Sequence, residues 1–234
     1  MLVVSWNVLA DAYVRASYYP WTPRTLLARG TRTEAIVAAI ESMAADVVCL
    51  QEVEPAVVSA LSGWRIHYAK KPGKPEGCAI LARDALRADT LELPDAQVAV
   101  LARTELAGIA TTHLRWDPPG TPRASRQAIR EAEALLAALD PAIPWIVCGD
   151  LNVEPDDDVC ALFAAAGFRD ACAELAVPTA NPNGRAKRID HIFVRGPLEA
   201  TPASVPEVAD DTPLPSSAMP SDHVPIAARF RPVA

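Results

Sequence analysis

Two short segments of this chain, Val47-Val48-Cys49-Leu50 and Trp145-Ile146-Val147-Cys148, are apolar at every consecutive position. A strand with one wet face alternates apolar and polar residues, so an unbroken run of this length needs cover on both faces. Both runs are far shorter than the roughly 20 apolar residues of a membrane helix. Two sheets packed face to face, each with helices on its outer side, supply the cover. The expected fold is therefore α/β: a four-layer α/β/β/α sandwich of two packed mixed sheets flanked by helices.

The rest of the chain supplies such elements. Residues 1–6 read as a first strand without a basic leader or cleavage site, so no export is expected. A helix is expected over 31–43, started by a capping box in which Thr31 and Glu34 stand three apart. A strand at 46–51 follows, and strands at 64–69, 78–82, 97–103 and 108–114 lie close enough in sequence to be antiparallel neighbours that fill a first sheet. A second helix over 123–139 is stopped by Asp140-Pro141. Next come a strand at 145–148, a helix over 156–166 that ends at Gly167, and strands at 189–195 and 224–229. Residues 201–220, rich in proline, serine and acid, read as a surface excursion. At 234 residues, one domain spanning 1–234 is expected.

Half of the residues are hydrophobic and the formal net charge is −7, which suits a folded chain and opposes long-range attraction to nucleic acid. Five cysteines form an odd set without C-x-x-C spacing, so they read as small buried hydrophobes in a reduced, cytoplasmic compartment. No membrane attachment, no obligate protein partner and a monomeric state are expected.

Polar residues collect where the expected strands end: Ser5-Trp6-Asn7, Gln51-Glu52, Thr112-His113, Gly149-Asp150-Leu151-Asn152, Asp190-His191 and Ser221-Asp222-His223. Strand ends aim side chains from a rigid sheet into a shared cleft. One such residue alone is usually a turn former. Together they deliver Asn7, Glu52, His113, Asp150, Asn152, Asp190, Asp222 and His223 with little else polar nearby. Hard oxygen donors such as Glu52, Asp150 and Asn7, with no cysteine beside them, suit magnesium or manganese rather than zinc. The residues themselves suggest a metal hydrolase. Nucleophile-elbow and zinc-protease motifs are absent.

Trp-Asn-Val, Leu-Gln-Glu, Thr-His-Leu, Gly-Asp-Leu-Asn, Ile-Asp-His-Ile and Ser-Asp-His occur here in the order used by the endonuclease/exonuclease/phosphatase superfamily. From Ser5 to Phe230 the chain resembles that superfamily, and within it the deadenylase, Nocturnin and Angel branch. The resemblance implies a deoxyribonuclease I-like fold and a magnesium-dependent phosphoesterase, with manganese as an alternative ion, acting on an RNA 3′ end or a nucleotide. It also implies roles. Glu52 is the main metal ligand, with Asn7 beside it and Asp222 on or near the metal. Asp150 deprotonates the attacking water, Asn152 holds that water or a phosphoryl oxygen, His113 and His223 bond the phosphate, and Asp190 fixes the tautomer of His223. His191 departs from the tyrosine common in this branch, a change expected to affect packing beneath the site. The chain carries no recruiting extension before Met1, so a subunit of a large deadenylase assembly is not expected.

Other readings are a DNA-directed nuclease or repair phosphodiesterase, a phosphatase of lipid or sugar head groups, and a catalytically dead binding module, the last opposed by a complete constellation. Arg123, Arg126 and Arg188, with Arg185 and Lys187 near them, are the candidate substrate-binding cations. The lysines of the turn 70–74 read as a solvated loop, and Trp21 in Tyr18-Tyr19-Pro20-Trp21 reads first as packing.

Overall fold

A computed structural model describes residues 1–175 and 177–233. Strand β1 (Leu2–Asn7) lies parallel to β2 (Val47–Val53) and antiparallel to β12 (Ile226–Pro232). With β3 (Arg65–Lys70), β4 (Gly77–Ala82) and β11 (Leu198–Pro202) they make a six-stranded mixed sheet of order β11-β12-β1-β2-β4-β3. The second sheet has order β5-β6-β7-β8-β10-β9, built from β5 (Arg87–Glu92), β6 (Val98–Arg103), β7 (Gly108–His113), β8 (Trp145–Asp150), β9 (Arg169–Asp170) and β10 (Asp190–Arg195). The expectation that 97–103 and 108–114 belong to the first sheet is corrected: they are antiparallel neighbours, but β6 and β7 sit in the second sheet, and the chain changes sheets between β4 and β5.

Consecutive apolar residues are explained by what each face meets. Val3, Cys49, Ile80, Val100, Ile109, Ile146, Cys148 and Ile192 point between the sheets. On the outer face of the first sheet, Trp6, Val48, Leu50 and Leu81 pack under Ile36 and Ile40 of α1 (Thr33–Ser42) and Val57 of α2 (Pro55–Ala60). Trp145, Val147 and Phe193 do the same beneath α3 (Gln127–Ala138) and α4 (Asp158–Ala165). All five cysteines are free and buried.

Local starts differ from expectation in two places. Helix α1 begins two residues late and without a side-chain cap, because the Thr31 hydroxyl donates to the carbonyls of Leu26 and Ala28 of the preceding turn. The helix expected over 123–139 is divided: Arg123–Ser125 is a 3-10 turn, Arg126 is extended, and α3 then starts on Asp117, whose carboxylate accepts from the amides of Gln127 and Ala128. Helix α4 does end at a left-handed Gly167, φ +83°.

Beneath the second sheet, His191 of β10 is buried and stacked on Phe193, with Nε2 2.9 Å from the carbonyl of Val153 and Nδ1 3.7 Å from Asp170. Burial opposes its charge, but the Asp170 carboxylate, the Cys160 thiol and the Val153 carbonyl together outweigh burial and push the imidazole up to about 10. A group whose folded-state pKa is raised stabilises the fold fully below its unfolded value, near 6.5, and that contribution is lost as pH rises through the folded value. The stability gap between wild type and Asp170→Asn, measured by urea unfolding, should therefore be widest below about pH 6.5 and narrow toward pH 10; a gap that does not vary with pH would contradict the pairing. A second prediction concerns Gly149, where φ is +153° and an added Cβ would sit 1.9 Å from the carbonyl oxygen of Thr112 on β7. Gly149→Ala should cost roughly 3 kcal/mol or more, since backbone strain and overpacking each carry about 1–3 kcal/mol; a loss under about 1 kcal/mol would show that the strands separate freely there.

Candidate active site

One end of the sandwich gathers the polar strand ends. Register places them: Asp150 pairs with His113 across the β7–β8 ladder and with Asp190 across β8–β10, while Asn7 pairs with Gln51 across β1–β2. Gln51 ties the two sheets beneath the site, its Nε2 donating to Ser5 Oγ at 3.3 Å and to Thr111 Oγ1 at 2.8 Å. Glu52 turns out of the β2–β4 ladder at an irregularity, in the left-handed region at φ +53°, and Asn152 reaches the cleft from a similar conformation at φ +56°.

The eight residues expected at the catalytic and metal positions come together. Asn7 turns Nδ2 to Glu52 Oε1 at 3.1 Å and to Asp150 Oδ2 at 2.9 Å, while its Oδ1 accepts from the amide of Leu9. The other oxygen of Glu52 accepts from the amide of Ala10, and Asp150 Oδ1 accepts from the amide of Asn152. Two imidazoles flank Asp150 Oδ2, His113 at 3.6 Å and His223 at 3.7 Å through their Nε2 atoms. Behind His223, Nδ1 is 2.9 Å from Asp190 Oδ2, which also accepts from the Thr179 hydroxyl at 2.6 Å. Asn152 Nδ2 donates to the carbonyl of Leu114 and lies 3.0 Å from His113 Nε2.

Burial and like charge shape the electrostatics. Glu52 is raised to about 7 by burial and by the charge of Asp222. Asp150 is raised to about 6, chiefly by burial, with His223 pulling it down and Asp190 pushing it up. For His223, burial disfavours the cation, but Asp190 and Asp150 outweigh it and hold the imidazole well above its usual range. His113 falls well below that range because of burial and then the charge of Lys71.

Sequence reasoning missed several neighbours. The turn 70–74 is not wholly solvated: Lys71 is 4% exposed, with Nζ 3.3 Å from Glu76 and 3.2 Å from His113 Nδ1. Tyr13 donates to Glu76, and the buried Tyr19 donates to Asp222 Oδ2 at 3.0 Å. The segment carrying both tyrosines is fastened by buried Arg32, which donates to the carbonyls of Val8, Leu9 and Pro220 and pairs with Asp11. Trp21 is 51% exposed and lies against Gly184, so it is only partly packing.

Of the three candidate arginines, none reaches the carboxylates. Arg123 is held by Asp158, Arg188 by Asp170 and Arg126 by Asp157 and Asp117. Arg126 does line a cavity of about 740 Å³ that opens from Asn152, together with Tyr18, Trp116, Arg185 and Lys187; Arg123 and Arg188 lie elsewhere. No helix among the described residues is long and apolar enough to cross a membrane.

The human 2′,5′-phosphodiesterase 12 is 26% identical over 311 aligned positions, covering 97% of this chain and 51% of that protein, so the chain spans about half the length of that relative. The carbon catabolite repressor protein 4 homolog 4 of Arabidopsis thaliana is 23% identical, covering 97% of this chain and 76% of its own. Among solved structures, ANGEL2, described as a 2′,3′-cyclic phosphatase in complex with adenosine-2′,3′-vanadate, superposes with a TM-score of 0.80 at 21% identity, over 100% of this chain and 96% of that one. The sequence pattern of the endonuclease/exonuclease/phosphatase family matches residues 4–223, and the chain belongs to that family.

Proposed function

We propose that this chain is a divalent-metal-dependent phosphoesterase, with magnesium preferred, that hydrolyses a phosphate ester at an RNA 3′ end or in a nucleotide. The observation that carries the reading is the surround of Asp150: one carboxylate oxygen faced by two imidazoles and an amide, beside a second buried carboxylate.

The donor set fits a hard cation. Asp222 Oδ1 is buried without a hydrogen-bond partner, and Glu52 is pushed up by burial and by that neighbouring charge. Oxygen donors of this kind, with no thiolate among them, suit magnesium or manganese. Glu52 and Asp222 would hold the ion, with Asn7 beside them once it turns its oxygen inward. When bound, such an ion polarises the phosphoryl oxygen and makes water a better nucleophile.

The protein's own groups supply the rest. With a pKa near 6, Asp150 is ionised at neutral pH yet basic enough to take a proton from an attacking water. The stronger base beside it, His223, already carries charge and donates from Nε2 toward the phosphoryl oxygens, while Asp190 and Thr179 fix the other ring nitrogen. His113, beside Asn152, offers a further donor. The cavity beyond Asn152 has room for a nucleoside, with Trp116 and Tyr18 as aromatic walls. Relatives that act on 2′,5′-phosphodiester and 2′,3′-cyclic phosphate substrates support a ribonucleotide.

Hydrolysis of short RNAs and nucleotides should therefore appear in magnesium in a screen that also holds DNA and phospholipid head groups, and Asp150→Asn and His223→Ala should each lose roughly a hundredfold or more in turnover. Cleavage of DNA or lipid phosphates alone would overturn the substrate class, and near-normal turnover of Asp150→Asn would overturn the role of that residue. The cavity wall sets three cations, Arg126, Arg185 and Lys187, against four carboxylates, Asp117, Glu154, Asp156 and Asp157. Few phosphates can be neutralised there. Binding of a short RNA by Asp150→Asn at fixed magnesium should give a slope of log K against log salt no steeper than roughly −3, at about −0.7 per phosphate; a slope beyond about −5 would indicate an extended polyanion groove.

A further inference from the structure

Lys71 is placed where an unused surface lysine would not be. It comes from the β3–β4 turn, is 4% exposed, and its ammonium lies 3.2 Å from Nδ1 of His113 and 3.3 Å from Glu76. Glu76 is 1% exposed; one of its oxygens accepts from Tyr13 and the other has no partner. Lys71 Nζ is paired with that enclosed carboxylate, and an ammonium has three donors and no acceptor.

That fixes a proton on the neighbouring ring. A neutral imidazole carries one N–H, and which nitrogen holds it is set by the bond the other makes. Nδ1 of His113 faces the Lys71 donor at 3.2 Å, within hydrogen-bond reach, while the Glu52 carboxylate stands outside that reach at 3.9 Å, so Nδ1 is the lone-pair nitrogen. Asn152 Nδ2 faces Nε2 at 3.0 Å and would also donate. Of the two donors, only the amide can exchange its ends, by giving up its bond to the Leu114 carbonyl. We propose that Lys71 is a positioning residue that locks His113 as the Nε2–H tautomer and so holds its single N–H on the cleft side, toward Asn152 and Asp150, a role that rests on the phosphoesterase reading above. The arrangement makes the two imidazoles of the site unlike: His223 is backed by a carboxylate, His113 by an ammonium. His113 then serves as a neutral hydrogen-bond donor, and the Tyr13–Glu76–Lys71 chain links it to the segment that covers the cleft.

The test uses the whole chain, labelled with nitrogen-15, in magnesium buffer at neutral pH. Ring-nitrogen spectra, with His113 assigned by its loss in His113→Ala, should show a protonated Nε2 and a bare Nδ1. In Lys71→Met the proton should redistribute toward Nδ1, and kcat should fall by on the order of ten- to a hundredfold, the scale for removing a partner that orients a site residue, with KM changing less. Because the lysine acts through the ring, the same substitution in a His113→Ala background should cost almost nothing further. A proton on Nδ1 in the wild-type protein, whether the ring is neutral or cationic, overturns the proposal, and so does a full loss in the double variant. Once His113 is assigned, the wild-type spectrum can be read without any turnover. Absence of hydrolysis alongside the expected spectrum would count against the phosphoesterase reading and leave the lysine–imidazole pair in place.

Discussion

Four carboxylates, those of Glu52, Asp150, Asp190 and Asp222, are brought to one end of two apolar sheets and largely withdrawn from water. Enclosing like charges in this way is expensive, at several kcal/mol per ion after relaxation. Much of the surrounding structure offsets that cost. The Asn7 amide bridges Glu52 and Asp150, backbone amides of Ala10 and Asn152 take further lone pairs, and Thr179 with His223 closes around Asp190. Two oxygens of these four carboxylates remain without a partner among the described residues, Asp222 Oδ1 near Glu52, which is itself raised to about 7, and Asp190 Oδ1 behind His223.

Rigidity comes from the sheets and access from the loops. Asn7, His113, Asp150 and Asp190 sit at strand ends whose register is pinned on both faces by Ile, Val, Trp and Phe side chains, whereas Asn152, Asp222 and His223 are carried by the adjoining loops. Above them, residues 11–32 are held to both halves of the site by two phenols, Tyr13 on the His113 side through Glu76 and Lys71, and Tyr19 on the Asp222 side. Arg32 roots that cover in three backbone carbonyls. Packing and chemistry therefore share residues at this end of the fold.

The sandwich was legible in the sequence because a strand covered on both faces leaves an unmistakable run such as Val47 to Leu50. Edges leave no such mark: β5, β9 and β11, all terminal in their sheets, are exposed or very short and were not foreseen. The eight polar strand-end residues were legible for the same reason, as isolated polar groups at the ends of apolar segments. Lys71 was not, because it lies in a turn of Lys, Pro and Gly, and only the fold of that turn toward His113 distinguishes it from a solvated charge. Tyr19 looked like packing beside Trp21, whereas its hydroxyl reaches Asp222. Arg123, Arg126 and Arg188 looked free, since nothing in sequence shows that Asp157, Asp158 and Asp170 fold against them. Residues 4–223 carry the family pattern, and within it the positions set by strand register were readable while those set by loops were not.

The buried carboxylates are tested most directly by thermal unfolding in chelator and in magnesium, on wild type and Glu52→Gln. Magnesium at about a hundred times its dissociation constant should stabilise the wild type by about 2.7 kcal/mol, a rise of several degrees for a chain of this size. Glu52→Gln should be at least as stable as wild type in chelator, because the substitution removes one of the repelling charges, and magnesium should leave its Tm almost unchanged. An unmoved wild-type Tm, or an equal rise in Glu52→Gln, would contradict a site built around a cation.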